Sequence, residues 1–370
     1  MVQYRHLGLG PRVVVEIQPG EPVIMLPFGI RLSVLFVLAV TLSVAIVEGA
    51  QKSKKKGKGK EPAAAAVPVQ GNVVTPVPFR ERNGKDVFNA SGIVALGDSH
   101  FVFVDNNTND ALLELRLTPD GKQATPIARL PLRGLAPGTV DDIEDLALAE
   151  IDGRKYIFAT PSFSMKAGKK GAKDVVRPSA LLRIAVADDG TLNTEAMTDF
   201  RDWFVKSVPA IAAAATVDPE SGGLNVEGLG WDAKQQTLLI GVRTPLVDQL
   251  PIIVPVRLKV PAGPWTTSNL EALAPIKLLV DRGPGAQGVR GVATRLDGKG
   301  FLVVVANATS KDNAPFAVYA WDGLDGGNVS KFPHAFADRM KAEGLTIGTV
   351  GGRQVVVVVD DGGGFGVVWL

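Results

Sequence analysis

From about residue 75 to the C-terminus, apolar positions fall in short β-branched runs of five to eight, separated by turns rich in Gly, Asp and Lys. Such runs are too short for core helices and suit strands buried on both faces. The runs also repeat in order. A first segment opens on a small or charged residue, usually followed by Gly and then an aliphatic: "SGIVAL" (91–96), "EDLALA" (144–149), "EGLGWD" (227–232), "RGVATR" (290–295) and "EGLTIG" (343–348). After a turn comes a second run, namely "HFVFVD", "KYIFAT", "TLLIGVR", "FLVVVAN" and "QVVVVVD". A loop then leads to a third: "ALLELRL", "ALLRIAV", "PIIVPVRL", "APFAVYAW" and "FGVVWL".

Strand–turn–strand–loop–strand units spaced 53 to 83 residues apart predict an all-β fold, a β-propeller. Five repeat units are read, which makes a ring of five or six blades. Outer fourth strands are expected at "IARLPL" (127–132), "IKLLV" (276–280) and "VSKFP" (329–333). The last unit ends after its third strand at Leu370, so its fourth is expected from "VTPVPFRER" (74–82), closing the ring and removing an exposed edge. One stretch follows a different period. In 193–215, Met197, Phe200, Phe204, Val208 and Ile211 are spaced as on an amphipathic helix, predicting a helical insertion packed on one face.

The N-terminal part differs in kind. "IRLSVLFVLAVTLSVAIVEGA" (30–50) is a hydrophobic segment preceded by Arg31's charge, read as a signal peptide or a membrane anchor within residues 1–50. A start at Met25 would give it a more usual length. Residues 51–73, with "QKSKKKGKGK" followed by "EPAAAAVPVQG", read as a Lys-rich low-complexity linker, and 74–370 as the propeller domain. The lysine run directly after the apolar segment opposes simple export by the positive-inside rule. The expectation is an extracytoplasmic protein (secreted, periplasmic or membrane-anchored), with membrane or envelope attachment through the N-terminus.

Charge sharpens this division. Residues 1–60 carry nine Lys/Arg against three Asp/Glu, leaving 31 basic against 35 acidic residues in the remainder. A mildly acidic body argues against nucleic acid as a partner. There are no cysteines, which excludes disulfides, thiolate catalysis and Cys-based zinc sites. The three histidines are His6, His100 and His334, so a Ser-His-Asp triad would have only His334 as its base, and no nucleophile elbow lies near it.

"GGLNVEGLGWDAKQQTLLIGVRTPLVDQLPIIVPVRL" (222–258), "GVRGVATRLDGKGFLVVVANATSKDNAPFAVYAWDG" (288–323) and "DDIEDLALAEIDGRKYIFATPSFS" (141–164) resemble segments of the bacterial family called domain of unknown function 3616. That family is similar in blade pattern to esterase-like phytases, so the resemblance implies a propeller and allows a hydrolase. The chain departs from the family pattern at "TPSFS" (160–164), where Gly-Ser-His-Ser is usual, and so lacks that histidine. It departs again at "RTP" (243–245) and "ANA" (306–308).

In a propeller the first strand of each blade lines the central channel. The residues heading the five units, Ser91, Glu144, Glu227, Arg290 and Glu343, are therefore expected in a ring at one channel mouth, with the following glycines permitting close backbone approach. The ends of the second strands predict a further ring of Asp105, Thr160, Arg243, Asn307 and Asp360. One reading is structural, with Glu–Arg pairs fixing the blade starts. The other is a charged funnel that binds a small ligand or a protein partner through Asp105, Glu144, Glu227, Arg243, Arg290, Asn307, Glu343 and Asp360. Clustered carboxylates suit Ca²⁺ or Mg²⁺, with Glu144, Glu227 and Glu343 as ligands, and the alternative function is a cation-assisted phosphoester or ester hydrolase. "DDGGG" (360–364) reads as a hairpin turn, and "GKKGAK" (168–173) as an exposed loop.

Overall fold

The structure is a computed structural model, and it describes residues 73–81, 88–166, 175–281 and 283–370. The chain divides into compact units at 67/68, and all described residues lie in the second. The hydrophobic segment, the Lys-rich stretch and the "GKKGAK" loop fall outside the described residues. Among the described residues no helix is long and apolar enough to cross a membrane.

The described chain forms antiparallel meanders, each of which runs outwards from an innermost strand. The first comprises Ala90–Gly97, His100–Asp105, Thr108–Arg116 and Ala128–Arg133, and the second Ile143–Ile151, Arg154–Pro161, Leu181–Val186 and Leu192–Met197. The third has Asn225–Asp232, Thr237–Val247, Leu250–Leu258 and Leu270–Ala272, with Ile276–Lys277 also on its outer side. The fourth has Gln287–Thr294, Phe301–Asn307, Ala317–Trp321 and Val329–Lys331. The last has Ala342–Val350, Arg353–Asp360 and Gly364–Trp369, and its outer strand is Val77–Pro78, supplied from the N-terminal side. The five innermost strands touch one another in a closed cycle, each contacting the one before and the one after. This is a propeller-like β fold.

The strands alternate between two buried faces, which explains their continuous apolar runs. In His100–Asp105, Phe101 and Phe103 pack against Val355, Val357 and Val359 of the last meander. Val102 and Val104, pointing the other way, pack against Leu146 and Ile157 of the second. At Gly92 and Gly344 there is no room for a side chain between neighbouring backbones. A Cβ at Gly92 would collide with the Asp145 backbone, and one at Gly344 with the Ser91 carbonyl. These contacts set how closely the meanders approach.

Three features depart from the sequence-based expectation. Residues 193–215 are not one helix, because Leu192–Met197 completes the second meander and only Phe200–Ser207 and Pro209–Ala212 are helical. Pro209 has no N–H to continue the first helix, and Thr194 and Ala196 pair with Ile184 and Leu182. Met197, Phe200, Phe204, Val208 and Ile211 nevertheless share one core cluster, as their spacing predicted. The first two meanders also join through a parallel pairing of outer strands, Leu132 with Leu192 and Arg133 with Asn193, which covers two edges at once. Finally, Leu270–Ala272 is an outer strand that the sequence pattern did not mark.

Candidate functional site

Every innermost strand carries a register shift near its start. In the third meander Val226 opposes Val242 and Gly228 opposes Gly241, so Glu227 has no partner. The fourth skips Arg290 between Val289 and Gly291, and the last skips Glu343 between Ala342 and Gly344. The second skips Glu144 between Ile143 and Asp145, while in the first the shift between Ala90 and Ile93 takes in Ser91. A β-bulge turns one side chain out of the alternating pattern and re-aims it. Repeated five times around a closed cycle, it brings all five heading residues to one mouth of the channel.

There they meet. The Ser91 hydroxyl donates to Glu144 Oε2 at 3.1 Å, and Asn106 Nδ2 donates to the same oxygen at 3.3 Å. Arg290 Nη1 lies 2.7 Å from Glu227 Oε2 and 2.9 and 3.0 Å from the two Glu343 oxygens. Its Nη2 donates to the Asn307 carbonyl and to Asn307 Oδ1, at 3.1 and 2.8 Å. Glu227 Oε1 accepts from Arg243 Nη1 at 2.7 Å and from Asn225 Nδ2 at 2.8 Å. Arg243 Nε donates to the Ala308 carbonyl at 2.8 Å, and its Nη2 is 3.8 Å from Glu220.

Burial decides the protonation of this ring. Desolvation pushes Glu343 up to about 7, because it outweighs the Arg290 charge beside it, and Glu227 adds repulsion. Glu144 lies well above the usual carboxylate range for the same first reason, with Glu227, Asp142 and Glu343 all repelling it. Burial opposes the charge on Arg290, yet Glu227 and Glu343 together hold it above its ordinary range.

A cleft of about 410 Å³ opens over the ring. Among its lining residues carboxylates outnumber cationic side chains seven to four, and none is aromatic. Part of its wall was not anticipated from sequence. Ser164 and Asp142 line it, and Ser162 links them: Ser162 Oγ is 2.7 Å from Asp142 Oδ2 and 2.9 Å from Ser164 Oγ. Asp142 and Phe163 hold positive φ of 64° and 53°, strained values for residues with side chains. Burial raises the Asp142 carboxyl despite the Ser162 hydrogen bond. Asn106 and Asn225 also line the cleft, and each leaves a buried Oδ1 with no hydrogen-bond partner, as does Arg290 at Nε. Asn225 had a legible signal, since it stands two residues before Glu227 in the most regular unit.

The second expected ring does not form. Arg243 lines the cleft, and Asn307 reaches the ring only by holding Arg290. Asp105 accepts from the Asn107 N–H at 2.9 Å and Asp360 from the Lys341 N–H at 2.6 Å, so both tie backbone turns outside the cleft. Asp360 also closes the turn expected at "DDGGG", accepting at its carbonyl from the Gly363 N–H. Thr160 donates to the adjacent Pro161 carbonyl. Among the described residues no group of three or more His, Cys, Asp or Glu side chains is placed to hold a metal ion. Of the expected Glu144–Glu227–Glu343 set, two carboxylates face Arg290 instead.

Just past the ring, Asp145 stands where the other units have glycine. Its Oδ2 accepts from the Leu229 and Val292 N–H groups at 2.7 and 3.3 Å, and its Oδ1 from its neighbour Leu146 at 2.8 Å. It is fully enclosed, and burial holds it well above the ordinary range against those three donors. Beyond it the same strands line a second cavity of about 410 Å³ whose wall is mainly aliphatic, including Leu96, Leu148 and Ile347. The channel thus has a polar mouth, a hydrogen-bonded plug and an apolar mouth.

No family model and no curated protein matches the chain, so the resemblance to domain of unknown function 3616 rests on the quoted segments alone. Solved structures similar to it include glutaminyl cyclase from Myxococcus xanthus, at 10% identity and a TM-score of 0.40, covering 80% of this chain and 97% of that one. An α-L-arabinofuranosidase from Lactobacillus brevis is 12% identical with a TM-score of 0.46, covering 79% of this chain and 94% of that one. The GH43_1 enzyme from Xanthomonas citri, complexed with xylose, is 8% identical with a TM-score of 0.44, covering 80% and 90%. At such identities and TM-scores the likeness carries nothing about chemistry.

Proposed function

We propose that the five meanders are the blades of a ligand-binding propeller whose polar channel mouth takes a small hydrophilic molecule. The observation that carries this is the set of five bulges aimed at one cleft whose wall still holds unpartnered buried polar atoms. A ring that only fixed the blade starts would satisfy its own members. Here Asn106 Oδ1, Asn225 Oδ1, Arg177 Nε and Arg290 Nε are buried without a hydrogen-bond partner, and each unpaired buried group costs about 1–3 kcal/mol. A ligand that meets them recovers that energy. The N-terminal hydrophobic segment fits this role as an export signal or tether for an extracytoplasmic receptor.

The test is a thermal-shift and calorimetric screen of polyols, sugars, amino acids and amines against the protein and its Glu227→Gln variant. A ligand at a hundred times its Kd adds about 2.7 kcal/mol of stability, a readily measured shift. The expected result is a hit that binds one-to-one and is lost in Glu227→Gln. A screen without hits, or a hit indifferent to that substitution, overturns the proposal.

A further inference from the structure

Resting on that reading, we infer that the ligand of the polar mouth carries a primary ammonium group. An ammonium has three donors and no acceptor, so its site must present acceptors with open lone pairs. Two such oxygens are buried in the residues of the cleft wall. Asn225 is only 7% exposed, and its Oδ1 has no partner while its Nδ2 is committed to Glu227. Asn106 is oriented the same way, its Nδ2 on Glu144 and its Oδ1 open.

Ser164 follows by direction of hydrogen bonding. The single proton of Ser162 goes to the Asp142 carboxylate, so the contact between the two serines takes the proton of Ser164 and leaves that hydroxyl as an acceptor towards the cleft. Against these stand two donors in the wall without a hydrogen-bond partner, Arg177 Nε and Arg290 Nε, and the first is already 3.3 Å from the Asp142 carboxylate.

Charge points the same way. The four cationic side chains of the wall each have a carboxylate: Lys166 and Arg177 sit by Asp141, Arg177 also by Asp142, Arg243 by Glu227, and Arg290 by Glu227 and Glu343. Glu144 has no cationic partner among the described residues, and both of its protein hydrogen bonds there end on Oε2. Burial and the neighbouring acids raise the Glu144 carboxyl, and a bound ammonium would offset this by favouring its ionised form. The lack of any aromatic lining removes the cage that quaternary ammonium ligands use, which selects a group that donates hydrogen bonds over one that only carries charge.

The experiment compares ethanolamine, choline and erythritol as probes by calorimetry on the full chain at physiological salt. Ethanolamine and choline share charge and skeleton and differ in their N–H donors. One-to-one binding of ethanolamine at least tenfold tighter than either other probe is expected. Ser164→Ala and Asn225→Leu should each weaken it severalfold or more. If Asn225→Leu unfolds the chain, Ser164→Ala decides alone. Equal binding of choline and ethanolamine, or ethanolamine binding unchanged in Ser164→Ala, overturns the inference. Erythritol binding that depends on Glu227, without ethanolamine binding, overturns the ammonium assignment and leaves the small-ligand reading standing. Failure of all three probes, with no hit from the wider screen, overturns both.

Discussion

Replacing Arg290 by Met tests the shared-guanidinium account of the ring. The substitution keeps much of the apolar stem and removes five contacts: Nη1 to Glu227 and to both Glu343 oxygens, and Nη2 to Asn307 twice. Breaking a buried ion pair from one side costs about 3–5 kcal/mol, because a charge is left behind. The two acids are not left equally. Glu227 keeps Arg243 and Asn225, at 2.7 and 2.8 Å, whereas Glu343 loses the guanidinium that opposed its desolvation. Glu343 must therefore take a proton to remain buried.

That makes the cost depend on pH, with a definite sign. Glu343 is raised from 4.5 to about 7 in the folded protein, so the folded state binds the proton more tightly than the unfolded chain does. Its contribution is greatest below about pH 4.5 and declines as pH rises to about 7, by about 3 kcal/mol at 1.36 kcal/mol per pH unit. In Arg290→Met the folded value rises further, so the decline continues above pH 7. Each additional unit adds about 1.4 kcal/mol of loss at alkaline pH. Urea unfolding followed by the fluorescence of buried Trp231 and Trp321, at pH 5 and pH 8.5, reads both terms. The variant should lose more at pH 8.5, and adding Glu343→Gln should restore part of that excess. A loss equal at both pH values, or larger at pH 5, would refute the assignment of Glu343 as the strained acid.

Three other substitutions probe the frame around the ring. Asp145→Ala strips acceptors from the Leu229, Val292 and Leu146 N–H groups and should cost about 3 kcal/mol or more, whereas Asp145→Asn, which keeps one acceptor oxygen and turns an NH2 towards the remaining N–H, should recover only part of that loss in thermal melts at pH 7. Gly344→Ala drives a methyl into the Ser91 carbonyl and should cost about 3 kcal/mol, the upper end for overpacking; a loss below 1 kcal/mol by urea titration would show that the axis can relax. Deleting the chain through Phe79 uncovers the edge of Gly364–Trp369, and light scattering should then show concentration-dependent oligomers; an unchanged monomer would mean that the edge is protected in another way.

The parts of this architecture written in local pattern could be read before the structure, and those that depend on pairing partners could not. Runs such as "FLVVVAN" announce strands because both faces are buried, and the missing fourth strand of the last unit implied closure by the N-terminal side, which Val77 and Phe365 provide. The heading residues were recognisable as a ring because a charge before a glycine recurred in register with the strands. Their bulges were not, since a bulge is defined by what the neighbouring strand opposes, and the pairing of Val226 with Val242 and of Gly228 with Gly241 is not written in the stretch around Glu227. The same limit hid the separate fates of Asp105 and Asn307, two strand-end residues that look equivalent but tie off a turn and an arginine respectively.

Asp145 shows why departures from a repeat deserve more weight than agreement with it. As a lapse from the glycine pattern it carries no message, yet it is the side chain that caps Leu229 and Val292 across the axis. Restoring the pattern with Asp145→Gly would complete the repeat and leave those backbone donors unpaired. One position had to break the symmetry to close the centre, because five glycines around a channel supply no acceptor for it.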